Sequence, residues 1–181
     1  MTATAAFGAM TNPRSRKKGP FLIYMPTIER NHPSLYAEQR AMPHKPFVLL
    51  VEDNPDDVNL TMIAFKSNRF PYEVEVACDG ADALGFLRGK SPGNLPALIL
   101  LDINMPRVSG LEFLEQIRSD ARLSNLTVSI LTSSSQESDK VRARELGVVD
   151  YIIKPVDLSE FDVVVRRISR LMEEVLHHRV G

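Results

Sequence analysis

One cysteine in 181 residues leaves Cys78 without a partner for an internal disulfide. A disulfide-stapled framework is excluded, a reducing, cytoplasmic setting is expected, and Cys78, in the strand-like run after Glu73, is expected to be a small core residue. Long apolar runs are also missing, since none approaches the roughly 18 to 20 residues of a membrane span. The chain is therefore expected to be soluble, with no membrane partner. No internal repeat or low-complexity tract interrupts it. No G-x-G-x-x-G follows the first apolar run, where "EDNPDD" would repel a pyrophosphate, so a dinucleotide-binding protein is disfavoured.

The net charge is close to zero, at −1, but it is unevenly spread. Residues 1–46 hold seven Lys or Arg against two acids, and residues 47–181 hold fifteen against twenty-one. The first segment also carries six of the twelve prolines and no sustained hydrophobic period, so residues 1–46 read as a basic, Pro-rich, disordered arm. Its "PRSRKK" cluster could be a nucleic-acid or targeting patch, but a lone basic cluster in such an arm is more often simply solvated. No nucleic-acid partner is expected. Met42 leaves open that the arm stems from an upstream start.

From Phe47 onward short apolar runs alternate with segments of helical spacing. The runs are 48–51, 73–77, 97–101, 127–131 and 151–153, and the helical segments lie at about 55–67, 80–89, 109–119, 136–147 and 158–176. "VLLV", "ALILL" and "TVSIL" are almost wholly apolar, as parallel strands covered on both faces must be, whereas "EVEVA" alternates like an edge strand with one wet face. Asn54 as N-cap, Pro55 at the first helical position and two acids behind it mark a helix start, and Gly147 marks a helix end. The pattern predicts a doubly wound α/β fold over residues 47–181: a five-stranded parallel sheet, order 2-1-3-4-5, with five helices.

In such sheets functional residues gather beyond the carboxyl ends of the strands, where strand order reverses. Glu52 and Asp53 follow the first strand, Asp102 the third, Thr132 with Ser133 and Ser134 the fourth, and Lys154 the fifth. Each alone has a bland explanation as a cap, a strand end or a surface lysine. Three acids, a hydroxyl and an ammonium delivered to one rim are hard to obtain by chance. Like charges about 4 Å apart repel by roughly 4 kcal/mol at an effective dielectric near 20, so crowded carboxylates must take up a proton, spread apart or recruit a cation. Oxygen donors alone, including a loop carbonyl such as that of Asn104, favour Mg²⁺ over softer metals. Mg²⁺ with few carboxylates suggests phosphoryl chemistry: Asp102 as nucleophile, Glu52 and Asp53 on the cation, Lys154 and Thr132 on the phosphoryl oxygens.

The segments "LLVEDNPDD", "LILLDINMP", "ILTSSS" and "YIIKP", in this order, resemble the receiver domain of two-component response regulators, with the CheY-like fold. The resemblance covers about residues 47–176. It implies Asp102 as phosphoacceptor, Glu52 and Asp53 as the acidic pair, the Asn104 backbone carbonyl as a further Mg²⁺ ligand, Thr132 as the switch hydroxyl, Lys154 as the site lysine and Tyr151 as the aromatic switch. It also implies a cis Lys154–Pro155 peptide and a sensor histidine kinase or histidine phosphotransfer protein as phosphodonor. The protein would then be no enzyme in the ordinary sense but a switch catalysing its own phosphorylation and slow dephosphorylation. "VEDNPDD", "LTSSSQESDK" and "YIIKPVDLSEF" are most similar to small stand-alone regulators paired with bacterial phytochromes.

Only 26 residues follow Lys154–Pro155, so no DNA-binding output domain is expected and the regulator should act by protein contact or as a phosphorelay. Phe161, Val164, Val165, Ile168, Leu171, Met172, Val175 and Leu176 form a stripe on the last helix wider than burial should require, which predicts a homodimer or docking site on the 136–176 face. His177 and His178 read as favourable residues at that helix's negative pole rather than metal ligands. Two rivals stand beside this reading. A haloacid-dehalogenase-like phosphatase needs an acid two residues after its nucleophile, where this chain has Asn104. A receiver-like binding module that is never phosphorylated conflicts with five competent site positions.

Overall fold

A computed structural model describes residues 45–180. The expectations for the N-terminal arm lie outside the described residues. Five strands, β1 (Phe47–Val51), β2 (Glu73–Ala77), β3 (Leu98–Leu101), β4 (Val128–Thr132) and β5 (Asp150–Ile153), alternate with α1 (Pro55–Ser67), α2 (Gly80–Gly89), α3 (Gly110–Ser119), α4 (Glu137–Glu145) and α5 (Phe161–Val180). The sheet is wholly parallel with order β2-β1-β3-β4-β5, as the sequence pattern predicts.

The continuous apolar runs have a direct cause. Along β1, Val48 and Leu50 face a cluster with Ala64 and Phe65 of α1 and Phe161, Val165 and Ile168 of α5. Leu49 and Val51 face the opposite cluster, with Leu84 and Leu87 of α2, Phe113 and Ile117 of α3 and Ala143 of α4. Side chains alternate along a strand, so a strand sandwiched between two helical layers needs an apolar residue at every position. β2, at the sheet edge, keeps Glu73, Glu75 and Val76 exposed.

The local signals act where they occur in the sequence. Asn54 accepts the Asp56 N–H at 3.0 Å and Pro55 opens α1. Gly147, at φ 71°, closes α4: its N–H reaches the Arg144 carbonyl and the Val148 N–H reaches that of Ala143, a Schellman arrangement in which a left-handed residue is required. Arg118 at the end of α3 reaches four carbonyls, those of Ser124, Leu126, Leu146 and Gly147, at 2.8 to 3.2 Å, and so ties the segments flanking β4 together. Arg118→Ala strips a charged donor from all four. The expected cost is about 2–4 kcal/mol, read as a lower urea midpoint at unchanged slope.

Three expectations are corrected. Cys78 is exposed, because β2 ends at Ala77 and the chain turns there into the cap of α2, where the Asp82 carboxylate accepts the Cys78 N–H. The α5 stripe is largely absorbed by the core, and only its last turns stay partly exposed. Phe161, Val164, Val165, Ile168 and Met172 are buried, and Leu171, Val175 and Leu176 pack on the same cluster, so the width is consumed by the layer shared with α1. Among the described residues of the 136–176 face, the exposed large apolar side chains are Val141, Val149, Ile153, Val156 and Val163, of which the last three lie around the end of β5 and the start of α5. No cis peptide occurs among the described residues, so Lys154–Pro155 is trans. The imidazoles of His177 and His178 donate to the helix's own carbonyls at Glu173 and Glu174. Among the described residues no helix is long and apolar enough to cross a membrane.

Candidate functional site

Strand register brings the polar residues together. Val51 pairs with both Ala77 and Leu101, and Thr132 with Ile153, so β1, β2 and β3 end level, as do β4 and β5. The residue after β1, β3 and β5 is held by the sheet's last hydrogen bonds: Glu52 N–H to Ala77, Asp102 N–H to Val51 and Lys154 N–H to Thr132, at 2.8 to 3.0 Å. The side chains at this rim are therefore fixed by the sheet itself rather than by a mobile loop.

At the centre stands the Lys154 ammonium. It donates to Glu52 Oε2 at 2.5 Å, Asp102 Oδ2 at 2.6 Å and Asp57 Oδ2 at 2.8 Å. The side chains of Glu52, Asp102 and Lys154 are only 2%, 6% and 8% exposed. Asp102 Oδ1 accepts the Thr132 hydroxyl at 2.6 Å and the Asn104 N–H at 3.1 Å. Charge-assisted bonds of this length in a water-poor site are the strong kind. Burial alone would pull the Lys154 ammonium's pKa down, but its bonds to Asp102, Asp57 and Glu52 outweigh burial and hold it above the ordinary lysine range. Burial raises the Glu52 carboxyl, and Lys154 offsets only part of that.

The other side of Asp102 continues into the β4–α4 connection. Ser134 donates its N–H to Thr132 Oγ1 at 3.2 Å and its hydroxyl to Asp139 at 2.5 Å, and the Tyr151 hydroxyl donates to the Ser134 carbonyl at 3.1 Å. Thr132 and Tyr151 are thus two steps apart through one serine. Burial pushes the Tyr151 phenol up, which keeps it a neutral donor. Beneath Asp102, α3 opens on Gly110 behind a capping box between Ser109 and Glu112, and its first residue lies against the Asp102 backbone. Arg107, in a left-handed conformation in this loop, pairs with the buried Asp79 that caps α2.

Asp102, Glu52, Thr132, Lys154 and Tyr151 form one connected network, and Asn104 joins it through its N–H. Asp53 lies differently. It is half-buried in the bend before α1, and the carboxylates with oxygens within 4.8 Å of one another are Glu52, Asp57 and Asp102. Asp57 reaches the cluster from the first turn of α1. In the sequence it reads only as an acid favourable to the helix dipole; the signal for more is its distance of about one helical turn from a strand end already rich in acids.

The three carboxylates and one ammonium leave a formal excess of two negative charges, and every donor in the group is oxygen. A hard divalent cation matches both the charge and the donor set, so the residues fit Mg²⁺ or Mn²⁺.

The model of the response regulator receiver domain matches residues 48–166. Among curated proteins, the chain is 37% identical over 139 residues to the probable methanogenesis regulatory protein FilR2 of Methanothrix harundinacea, covering 75% of this chain and 85% of that one. It is similar to the phosphorylated cyanobacterial phytochrome response regulator RcpA, with 36% identity, TM-score 0.63 and coverage of 71% of this chain and 94% of RcpA. It is also similar to the Mn²⁺-bound form of Rcp1, a response regulator of Synechocystis, at 32% identity, TM-score 0.60 and coverage of 68% and 91%. Some relatives are longer, and this chain spans about half of their length. Sheet order, rim chemistry and family match agree: the chain belongs to the response regulators and carries their receiver domain over most of its length.

Proposed function

We propose that the chain is a phosphoacceptor switch in which Asp102 takes a phosphoryl group from a sensor histidine kinase or a histidine phosphotransfer protein. The observation that carries this is the Asp102 carboxylate itself, at the crest of a central strand and held between the Thr132 hydroxyl and the Lys154 ammonium, both at 2.6 Å. An oxygen of Asp102 attacks phosphorus, the P–N bond of the donor phosphohistidine breaks, and the imidazole nitrogen keeps the electron pair. Lys154 and Thr132 then stand ready to hydrogen-bond the phosphoryl oxygens. Glu52 and Asp102 would hold Mg²⁺, with Asp57 beside them and the resemblance adding Asp53 and the Asn104 carbonyl. When bound, the ion neutralises charge on the phosphoryl oxygens and orients them.

A phosphoryl group adds roughly two negative charges at the rim. Thr132, drawn toward it, pulls on Ser134 and through Ser134 on Tyr151, so the charge is read out at the β4–α4 connection and β5. Ile153, Val156 and Val163 beside Tyr151 supply exposed apolar surface for phosphorylation-dependent contact with a target, a relay protein or a second copy of the chain. The likeness to RcpA supports a phytochrome-type kinase as donor. Hydrolysis of the acyl phosphate by water resets the switch.

Incubation with acetyl phosphate tests the reading. With Mg²⁺ the intact mass is expected to rise by a single phosphate, and with EDTA in place of Mg²⁺ the gain should fall at least about tenfold. A gain indifferent to EDTA would remove the cation from the reading.

A further inference from the structure

Asp57 belongs to the carboxylate cluster and also holds one of the three N–H groups of the Lys154 ammonium. An ammonium has three donors and no acceptor. In this site all three are taken, by Glu52, Asp102 and Asp57. None is left for a phosphoryl oxygen, so a partner must let go when the group arrives.

The three partners are unequal. Asp102 loses its carboxylate charge as the acyl phosphate forms and so frees a first N–H, while a second for the doubly charged group has to come from Glu52 or Asp57; Glu52 is almost fully buried, and withdrawing the ammonium from it would leave a desolvated carboxylate uncompensated. Asp57 is 34% exposed on the first turn of α1, at the longest of the three distances, and water can replace what it loses. Its position is nevertheless fixed, because Asn54 and Pro55 set the start of the helix that carries it.

We propose that Asp57 is a positioning residue for Lys154: it holds the ammonium's third N–H in the resting site and yields it to the phosphoryl oxygens on Asp102. This rests on the phosphoacceptor reading above. Asp57 thereby competes with the phosphorylated state, and its charge sets how readily that state forms.

The test is a time course of phosphate gain by intact mass, with acetyl phosphate and with Mg²⁺ taken to saturation for each variant. Asp57→Asn is expected to be phosphorylated about three- to fivefold faster than the wild type, the range of a partly exposed ion pair. Asp57→Glu, which restores the charge, should return toward the wild-type rate. Asp56→Asn removes the same charge from the neighbouring, exposed position and should change the rate less than twofold. An unchanged or slower Asp57→Asn overturns the proposal, as does equal acceleration by Asp56→Asn, which would mark a general field effect. If the wild type gains no phosphate, the phosphoacceptor reading fails, and the resting contact is then judged by NMR of the Lys154 ammonium in the unphosphorylated protein. That signal must shift in Asp57→Asn and hold still in Asp56→Asn; a signal indifferent to Asp57→Asn overturns the proposal independently.

Discussion

Gly110→Ala is expected to destroy the site and most of the stability with it. A Cβ at this position would lie 2.1 Å from the carbonyl oxygen of Asp102 and 2.8 Å from the Cα of Ile103, both backbone atoms. Neither can rotate away as a side chain would. The Gly110 N–H also donates to the Ile103 carbonyl at 3.0 Å, and the Ser109–Glu112 capping box fixes the first turn of α3, so helix and loop cannot part without losing these bonds. Relief would have to move Asp102 itself. The cost is set at the upper end of overpacking, about 3 kcal/mol or more against a typical total of about 5–15 kcal/mol. Denaturant titration should show a much lower midpoint. Gly85→Ala is the control: no atom lies within 4 Å of a Cβ there, and alanine in a helix interior gains about 0.5–1 kcal/mol over glycine.

Asp102→Asn should abolish phosphorylation while leaving the fold in place. The substitution keeps the size and planarity of the side chain, and its amide oxygen still accepts from Thr132 and Asn104. What it removes is the anionic oxygen that forms the new bond to phosphorus. The amide nitrogen then faces the Lys154 ammonium, donor against donor, in the place of a 2.6 Å charged pair. The cluster retains Glu52 and Asp57, so Lys154 keeps two partners and the carboxylate excess falls by one. Secondary structure by circular dichroism should match the wild type, while phosphate gain from acetyl phosphate falls below detection.

The features legible in the sequence are those governed by local rules. Apolar runs at 48–51 and 128–131 mark strands because a doubly covered sheet tolerates nothing else, and the residues just beyond each run mark the rim because parallel strands all end on one side. Asp102, Glu52, Thr132 and Lys154 follow from that rule alone. Asp57 does not, because its contact with Lys154, 97 positions away, depends on how α1 docks over the end of β1. The exposure of Cys78 is not legible in the run "EVEVAC", which shows no break in hydrophobicity, whereas the strand stops where the Asp79 and Asp82 side chains cap α2. The width of the α5 stripe is legible but its use is not: Leu171, Val175 and Leu176 are partly buried against a layer that α5 shares with α1, which spacing on one helix cannot reveal. The Ser134 link from Thr132 to Tyr151 likewise needs the folded β4–α4 connection before a serine run becomes a relay.

The most direct measurement is the location of the phosphate. Wild-type protein and Asp102→Asn are incubated with Mg²⁺ and acetyl phosphate, their intact masses compared, and the modified protein digested and mapped by tandem mass spectrometry. The account predicts one phosphate on the wild type, carried by Asp102, and none on the variant. No gain in the wild type, or a phosphate that persists in Asp102→Asn, would contradict it.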